Sequence, residues 1–165
     1  MTKSEENPIL LEVKQLKKHF PITGGLFGTV QSYVKALDGV SFQIEKGETL
    51  GVVGESGCGK STLGRVALRL LNPTSGEVFF KQKNIFRLSP QEMRNLRKDM
   101  QLIFQDPYES LNPRMKVEDI IGEPLRIHGY GTKNLRKKKV QELLEVVGFG
   151  LLGKRGVDVH AAVRT

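Results

Sequence analysis

Alternation of apolar and polar positions predicts a series of strands in the first two thirds of the chain. Residues 9–16 and 40–44 alternate with the period of two that suits a half-buried strand. Shorter apolar runs at residues 49–53, 77–80 and 101–104 predict three more strands. A turn at residues 45–48 separates the second and third of these, and a glycine-rich stretch follows the third.

Two helices are predicted in the same part of the chain. Residues 60–71 carry apolar side chains at helical spacing, so one face of this helix should be buried. Ser89, Pro90 and Glu92 supply an N-cap, a proline at the first helical position and a carboxylate at the third, which predicts that a helix begins there. The apolar face of the first helix consists of Leu63, Val66, Ala67, Leu70 and Leu71.

The pattern changes after Gln105. Pro107, Pro113 and Pro124 divide the following segment, which predicts loops and broken helix. Residues 134–147 then form an amphipathic helix that should end at a glycine, Gly148. The apolar positions of this helix are Leu135, Val140, Leu143, Leu144 and Val147.

Composition excludes several classes of protein. The 165 residues suffice for one domain with a core, and 38% hydrophobic with 27% charged residues fits neither a disordered nor a membrane-embedded chain. No apolar run reaches the ~18 residues that a membrane span needs. The polar, acidic first residues argue against a secretory signal. A single cysteine, Cys58, excludes an internal disulfide and agrees with a cytosolic protein.

Much of the net charge of +8 comes from one segment of the chain. Five basic side chains fall within residues 133–139, on the predicted final helix. This run is interpreted as a solvated helix face, with a partner-binding patch as the alternative. Nucleic-acid binding is not expected, because no aromatic residues are interleaved with the charges. The five residues are Lys133, Arg136, Lys137, Lys138 and Lys139.

The glycine-rich stretch matches a phosphate-binding loop in full. Residues 54–61 read G-E-S-G-C-G-K-S, which fits G-x-x-x-x-G-K-[ST] between a predicted strand and a predicted helix. Glycines let backbone N–H groups approach phosphate oxygens, and the helix adds its positive end. Lys60 should reach the β- and γ-phosphates and Ser61 should bind Mg²⁺. The predicted nucleotide-binding residues here are Gly54, Glu55, Ser56, Gly57, Cys58, Gly59, Lys60, Ser61 and Thr62.

The same residues have two other interpretations. A glycine turn that binds nothing would explain the same letters without any ligand. Redox sensing by Cys58 is a further alternative, although its backbone amide matters more than its thiol in a loop of this kind.

Further motifs resemble one known family. They are V-K-A-L-D-G-V-S-F, the loop with its extension T-L-G-R, P-T-S-G-E-V, and I-F-Q-D-P-Y-E-S-L-N-P-R-M. Together they resemble the ATP-binding subunits of ABC transporters. The runs H-F-P-I-T-G-G-L-F-G and I-I-G-E-P-L-R-I-H-G are similar to the oligopeptide and dipeptide importers among them. The resemblance covers about residues 8–148.

The resemblance implies an α/β fold: the P-loop NTPase core of an ABC-type nucleotide-binding domain, incomplete, with N-terminal antiparallel strands and the start of a helical subdomain. Residues 8–105 would form the nucleotide-binding core, around a parallel strand–loop–helix unit. Residues 106–148 would begin the helical subdomain, and residues 149–165 stay unassigned.

The resemblance also assigns roles and partners. It implies ATP and Mg²⁺ as ligands, with Gln105 at the metal or orienting the attacking water, and Lys60 in the catalytic set. Phe20 is the expected adenine-stacking residue, with Tyr33 as the alternative. Residues 106–122 would face the transporter's membrane subunits, and a second ATP-binding subunit would complete a dimer. The expected location is cytoplasmic, peripheral on the inner face of the plasma membrane.

Three elements of the family pattern have no counterpart in this sequence. After Asp106 the aspartates are Asp119 and Asp158, and neither follows four apolar residues or precedes a glutamate. No serine follows Ser110, so the Ser-Gly-Gly-Gln signature is absent, and His160 does not match the switch histidine. We therefore expect a C-terminally truncated importer ATPase that binds nucleotide weakly and does not hydrolyse it alone. The alternative is a non-catalytic nucleotide-binding or regulatory fragment, or a pseudogene product.

Overall fold

A computed structural model describes residues 8–24, 28–105, 111–112 and 114–149. The chain forms two compact units, Met1–Leu102 and Ile103–Thr165. The first unit contains the sheet, and the second contains two helices.

The sheet of the first unit has four antiparallel strands. These are β1 (Ile9–Gly24), β2 (Thr29–Glu45), β3 (Ser75–Phe80) and β4 (Lys83–Asn84), in the order β2-β1-β3-β4. The predicted strands at residues 9–16, 40–44 and 77–80 are therefore confirmed. The first two are much longer than predicted, because each extends along the other beyond the edge of β3.

Helices α1 (Lys60–Ala67) and α2 (Pro90–Leu96) flank a 3₁₀ turn at Ile85–Arg87 in the sequence and complete the first unit. Their apolar side chains join those of the sheet in one core, where burying a large aliphatic side chain contributes about 1.5–3 kcal/mol. The buried members of the core are Val13, Leu16, Leu37, Leu63, Val66, Val78, Phe80, Ile85 and Met93.

Two predicted strands were wrong. Residues 49–53 and 101–104 have no strand structure, and no described strand pairs with them. Their apolar side chains are accordingly accessible, with Val53 96% exposed and Ile103 91% exposed. A strand persists only where a neighbour satisfies its backbone N–H and C=O groups. The parallel strand arrangement expected around the loop is therefore not formed by the residues that the structure describes.

Helix α1 is also shorter than the predicted residues 60–71. Arg69 adopts a left-handed conformation with φ of +51°, which ends the helix. The Arg69 N–H donates to the Val66 carbonyl (2.9 Å), and the Leu70 N–H donates to the Arg65 carbonyl (2.8 Å). This pair of bonds is the Schellman arrangement that satisfies the last carbonyls of a helix. Leu70 consequently lies outside the helix and is exposed.

The predicted start of α2 is confirmed in detail. The Ser89 hydroxyl accepts from the Glu92 N–H (3.3 Å), and the Glu92 carboxylate accepts from the Ser89 N–H (2.8 Å). Pro90 occupies the first helical position, where its missing N–H costs nothing. The Ser89 hydrogen bonds lower the pKa of Glu92 below its ordinary value.

The second unit contains α3 (Val117–Ile127) and α4 (Lys133–Val146). The broken helix predicted from Pro124 was wrong, because α3 runs through this proline. The proline costs the helix one backbone hydrogen-bond donor. The helix is stabilised by acidic residues in its first turn and a basic residue in its last, because these charges interact favourably with the helix dipole. Pro107 and Pro113 lie outside the described residues.

Helix α4 agrees with its prediction at both ends. Thr132 caps the start, accepting from the Leu135 N–H. Gly148, with φ of +81°, ends it, donating to the Glu145 carbonyl (3.0 Å). Only two of the five predicted apolar positions are buried, Val140 and Leu144. The other three are exposed, namely Leu135, Leu143 and Val147.

Candidate functional site

The phosphate loop connects residue 53 to the start of α1, and its glycines determine its path. Gly57 has φ of +82° and Gly59 has φ of +99°, a region that residues with a Cβ avoid. A Cβ on Gly59 would also collide with the backbone carbonyl oxygen of Ala36 on β2. The strand and the loop therefore approach each other so closely that only glycine fits at this position.

Helix α1 presents an uncompensated N-terminus to the loop. Gly59 provides no side-chain cap, and the first turn carries no acidic residue. The first N–H groups of a helix have no partner within it, and their dipoles give this end a partial positive charge. Burial of Leu63, Val66 and Ala67 fixes the helix against the core. This end of α1 is therefore a rigid set of donors suited to an anion.

Lys60 lies across the loop that precedes it. Its Nζ donates to the backbone carbonyls of Gly54 (2.7 Å) and Glu55 (2.6 Å). The ammonium group thus lies against the backbone of the loop, and the predicted contact with nucleotide phosphates stays a prediction. Ser61 is exposed beside it and Thr62 is half-buried, so the Ser61 hydroxyl faces solvent at the first turn of the helix.

Cys58 packs over the backbone of the loop. Its Sγ lies 2.6 Å from the place that a Cβ on Gly54 would occupy, and 3.5 Å from the Lys60 Nζ. The thiol is exposed. A side chain at position 54 would require the Cys58 side chain to change its orientation, which is a contact that the motif alone does not reveal.

The two candidates for base stacking lie on opposite faces of the β1–β2 pair. Phe20 pairs with Val34, whereas Tyr33 pairs with Pro21, the next position along β1. Phe20 shares its face with Lys18, whose partner on β2 is Leu37. The Leu37 side chain lies 3.5 Å from the Cβ position of Gly59. Phe20 is therefore on the face that carries the phosphate loop, and Tyr33 is on the other.

Sequence reasoning missed one residue of this face. The Lys18 Nζ lies 5.0 Å from the centre of the Phe20 ring, in a cation–π contact. Two residues apart on a strand, these side chains necessarily share a face, so the period of two could have identified Lys18 once Phe20 was selected.

Several predicted functional positions are not tested by this geometry. Gln105 is exposed and belongs to the second unit, so its role at the metal stays a prediction. Residues 106–110 and 113, within the segment assigned to membrane-subunit contact, lie outside the described residues, as do Asp158 and His160.

The comparison with protein families shows where the chain belongs. The model described as ABC transporter matches residues 37–163, which includes the phosphate loop and extends into the segment after Gly150. The chain is a member of the ABC transporter family, and its fold is that of part of an ATP-binding cassette.

The curated relatives carry more specific names. The chain is 51% identical over 150 residues to "Oligopeptide transport ATP-binding protein AppF" of Bacillus subtilis, covering 90% of this chain and 45% of the relative. It is 49% identical over 145 residues to "Dipeptide transport ATP-binding protein DppF" of Haemophilus influenzae, covering 88% and 44% respectively. The chain therefore spans somewhat less than half the length of these relatives.

Solved structures agree with the fold. The ATP-binding cassette MJ0796, in a dimeric post-hydrolysis state bound to ADP and Pi, matches with a TM-score of 0.68 at 27% identity, covering 82% of this chain and 56% of that one. The cbiO1 protein of Clostridium perfringens, part of the ABC transporter complex cbiONQ, matches with a TM-score of 0.63 at 27% identity, covering 90% and 53%. Among the described residues, no helix is both long and apolar enough to span a bilayer.

Proposed function

We propose that this chain is the ATP-binding subunit, or the N-terminal part of one, of an ABC importer for peptides. The observation that carries the proposal is the phosphate loop, in which Gly59 lies against Ala36, Lys60 lies across the loop and the start of α1 is uncapped. The names of the relatives AppF and DppF support oligopeptides or dipeptides as the transported class.

The residues of the site fit Mg·ATP. Backbone N–H groups of the loop and of the first turn of α1 would bind phosphate oxygens, and Lys60 would neutralise part of their charge. Ser61 would hold Mg²⁺, which in this class of site neutralises charge on the phosphates. Gln105 is proposed as a second group at the metal. Phe20 would stack on the adenine from the face that carries the loop.

Binding without turnover is the behaviour proposed for the chain by itself. Hydrolysis requires a general base placed at the attacking water, which the family supplies from an Asp-Glu pair after a buried strand. The sequence contains no Asp-Glu dipeptide. A non-catalytic nucleotide-binding or regulatory fragment is the second candidate, supported by the same absence.

Calorimetric titration of the purified 165-residue chain with Mg·ATP tests the proposal. We expect measurable binding that Lys60→Ala abolishes and that Lys98→Ala, an exposed lysine outside the loop, leaves unchanged. Phosphate release should stay at the background rate in all three proteins. Absence of binding would overturn the proposal, and turnover that Lys60→Ala removes would contradict the non-hydrolytic part of it.

Partners and location follow as part of the same proposal. The segment after Gln105 would contact the transporter's membrane subunits, a second ATP-binding subunit would complete a dimer, and the complex would lie at the inner face of the plasma membrane. The relatives' names as transport proteins support this arrangement. Co-expression with the membrane subunits of a peptide importer should move the chain to the membrane fraction, and recovery in the soluble fraction alone would contradict it.

A further inference from the structure

We infer that Lys18 is a positioning residue of the nucleotide site and acts through the ring of Phe20. This inference rests on the proposed function, specifically on Phe20 as the residue that stacks on the base. Lys18 is not part of the phosphate-loop motif, and three features of its surroundings connect it to the site.

The first feature is geometry. The Lys18 Nζ lies 5.0 Å from the centroid of Phe20, within the range of a cation–π interaction. Lys18 is half-buried, whereas Phe20 is exposed. The ammonium group therefore lies over the ring, and a planar ligand would stack on the part of the ring that solvent reaches.

The second feature is position. Lys18 is paired with Leu37, and Leu37 packs beside Gly59 of the phosphate loop. A nucleotide bound by the loop would have its base on this face of the β1–β2 pair. The contact between Lys18 and Phe20 is thus formed where the base would have to stack.

The third feature is that, among the residues that the structure describes, no carboxylate is ion-paired with Lys18. Two other lysines lie over phenylalanine rings of this sheet, Lys14 over Phe79 and Lys81 over Phe80. Both are also ion-paired, to Glu12 (3.0 Å) and to Asp99 (2.7 Å) respectively.

Within the part of the chain that the structure describes, no carboxylate forms an ion pair with Lys18. The ring of Phe20 is therefore its partner.

These features imply two effects of Lys18 on binding. The ammonium group restricts the rotation of the Phe20 ring, which lowers the entropy lost when the base stacks. A cation on one face also draws π-electron density toward itself, which reduces the repulsion between the ring and the π-electrons of the base on the other face. Both effects require the base, so the affinity for a ligand that consists of phosphates without a base should not change.

Titration of the full chain with Mg·ATP and with Mg·tripolyphosphate, which lacks base and ribose, tests the inference. Lys18→Gln should raise the Kd for Mg·ATP about two- to fivefold, the range expected for an exposed cation–π contact. It should leave the Kd for Mg·tripolyphosphate unchanged. Lys18→Arg should retain the affinity of the original chain for Mg·ATP.

Two further variants separate a role in the site from a role in the fold. Lys14→Gln removes the matched cation–π contact over Phe79, away from the loop, and should leave both Kd values unchanged. In a chain that carries Phe20→Leu, adding Lys18→Gln should cause no further loss, because the ring through which Lys18 acts has been removed.

Each contrary result has a definite meaning. An equal loss of tripolyphosphate affinity would show a direct phosphate contact and overturn the inference, as would fully additive losses in the double variant or the same loss from Lys14→Gln. If the unaltered chain binds no Mg·ATP, the proposed function fails as well. If the unaltered chain binds Mg·ATP and Lys18→Gln does not change the Kd, only this inference fails and the proposed function stands.

Discussion

The backbone oxygen of Ala36 lies too close to Gly59 for a Cβ to fit at that position. The contact joins the phosphate loop to β2 through two main chains, with no side chain that could move aside. Together with the positive φ of Gly59, it explains why a glycine stands at the position where the loop enters α1. It also ties the conformation of the loop to the strand pair that carries Phe20.

Gly59→Ala should therefore damage both folding and nucleotide binding. Its φ of +99° is unfavourable for alanine, and the added methyl group must displace β2 from the loop. Gly47→Ala is a matched control, because Gly47 has φ of +86° with open space around it. We expect the control to lower the free energy of unfolding by about 1–2 kcal/mol and Gly59→Ala to lower it by more, measured by urea denaturation. Equal losses would show that Ala36 exerts no steric constraint.

Arg69 anchors the segment that follows α1. Its Nη1 donates to the carbonyls of Ile85 (2.7 Å) and Leu88 (2.9 Å), and these bonds hold the 3₁₀ turn near the end of the helix. Arg69→Ala should lower the free energy of unfolding by about 1.5–3 kcal/mol, because partly buried carbonyls lose a charged donor.

Arg87 provides the comparison for Arg69. It is paired with Glu77 at 2.9 Å, and its side chain is largely exposed. Arg87→Ala should cost about 0–1 kcal/mol, measured under the same denaturing conditions. A cost for Arg69→Ala no larger than this would mean that water replaces the lost donor.

How far the sequence determines this fold depends on the distance over which each signal acts. The capping box at Ser89 and the helix stop at Gly148 were predicted correctly, because their partners lie within a few residues. Residues 49–53 were predicted as a strand on composition, yet a strand also needs a partner that no local pattern supplies. The left-handed Arg69 has no sequence signal, because glycine usually occupies such a position.

The same difference between local and long-range signals applies to the candidate site. The phosphate loop was predicted from eight consecutive letters, whereas Phe20 was selected by resemblance. The side of the strand pair on which Phe20 lies could not be predicted, because β2 has an extra, unpaired residue at Ala36. Lys18 pairs with Leu37, and the next residue, His19, pairs with Lys35. A single inserted residue changes which side chains share a face, and only the strand register reveals it.

Acid should weaken the start of α2 through Glu92. Hydrogen bonds from the Ser89 hydroxyl and N–H lower the pKa of Glu92 in the folded chain. Because the folded pKa is below the unfolded one, the stabilisation is complete above the ordinary glutamate pKa. This stabilisation is lost as the pH falls from the ordinary glutamate pKa through the lowered pKa of Glu92.

Urea denaturation across the acidic range measures this effect. Glu92→Gln should reduce the dependence of the free energy of unfolding on pH between the two pKa values. The control is Glu145→Gln, on the exposed surface of α4, which should leave the dependence unchanged. An unaltered pH dependence in Glu92→Gln would show that the carboxylate contributes no charge-dependent stabilisation.

The register of β1 and β2 predicts which aromatic residue stacks on the base. Phe20→Ala should raise the Kd for Mg·ATP by the equivalent of about 1–3 kcal/mol, the usual cost of removing a base-stacking ring. Tyr33→Ala should leave the Kd unchanged, although Tyr33 is the more exposed of the two at 59% against 37%. Titration with Mg·tripolyphosphate separates stacking from damage to the loop, because a ligand without a base should bind both variants equally well. A larger loss from Tyr33→Ala would place the base on the opposite face of the strand pair, away from Leu37 and Gly59.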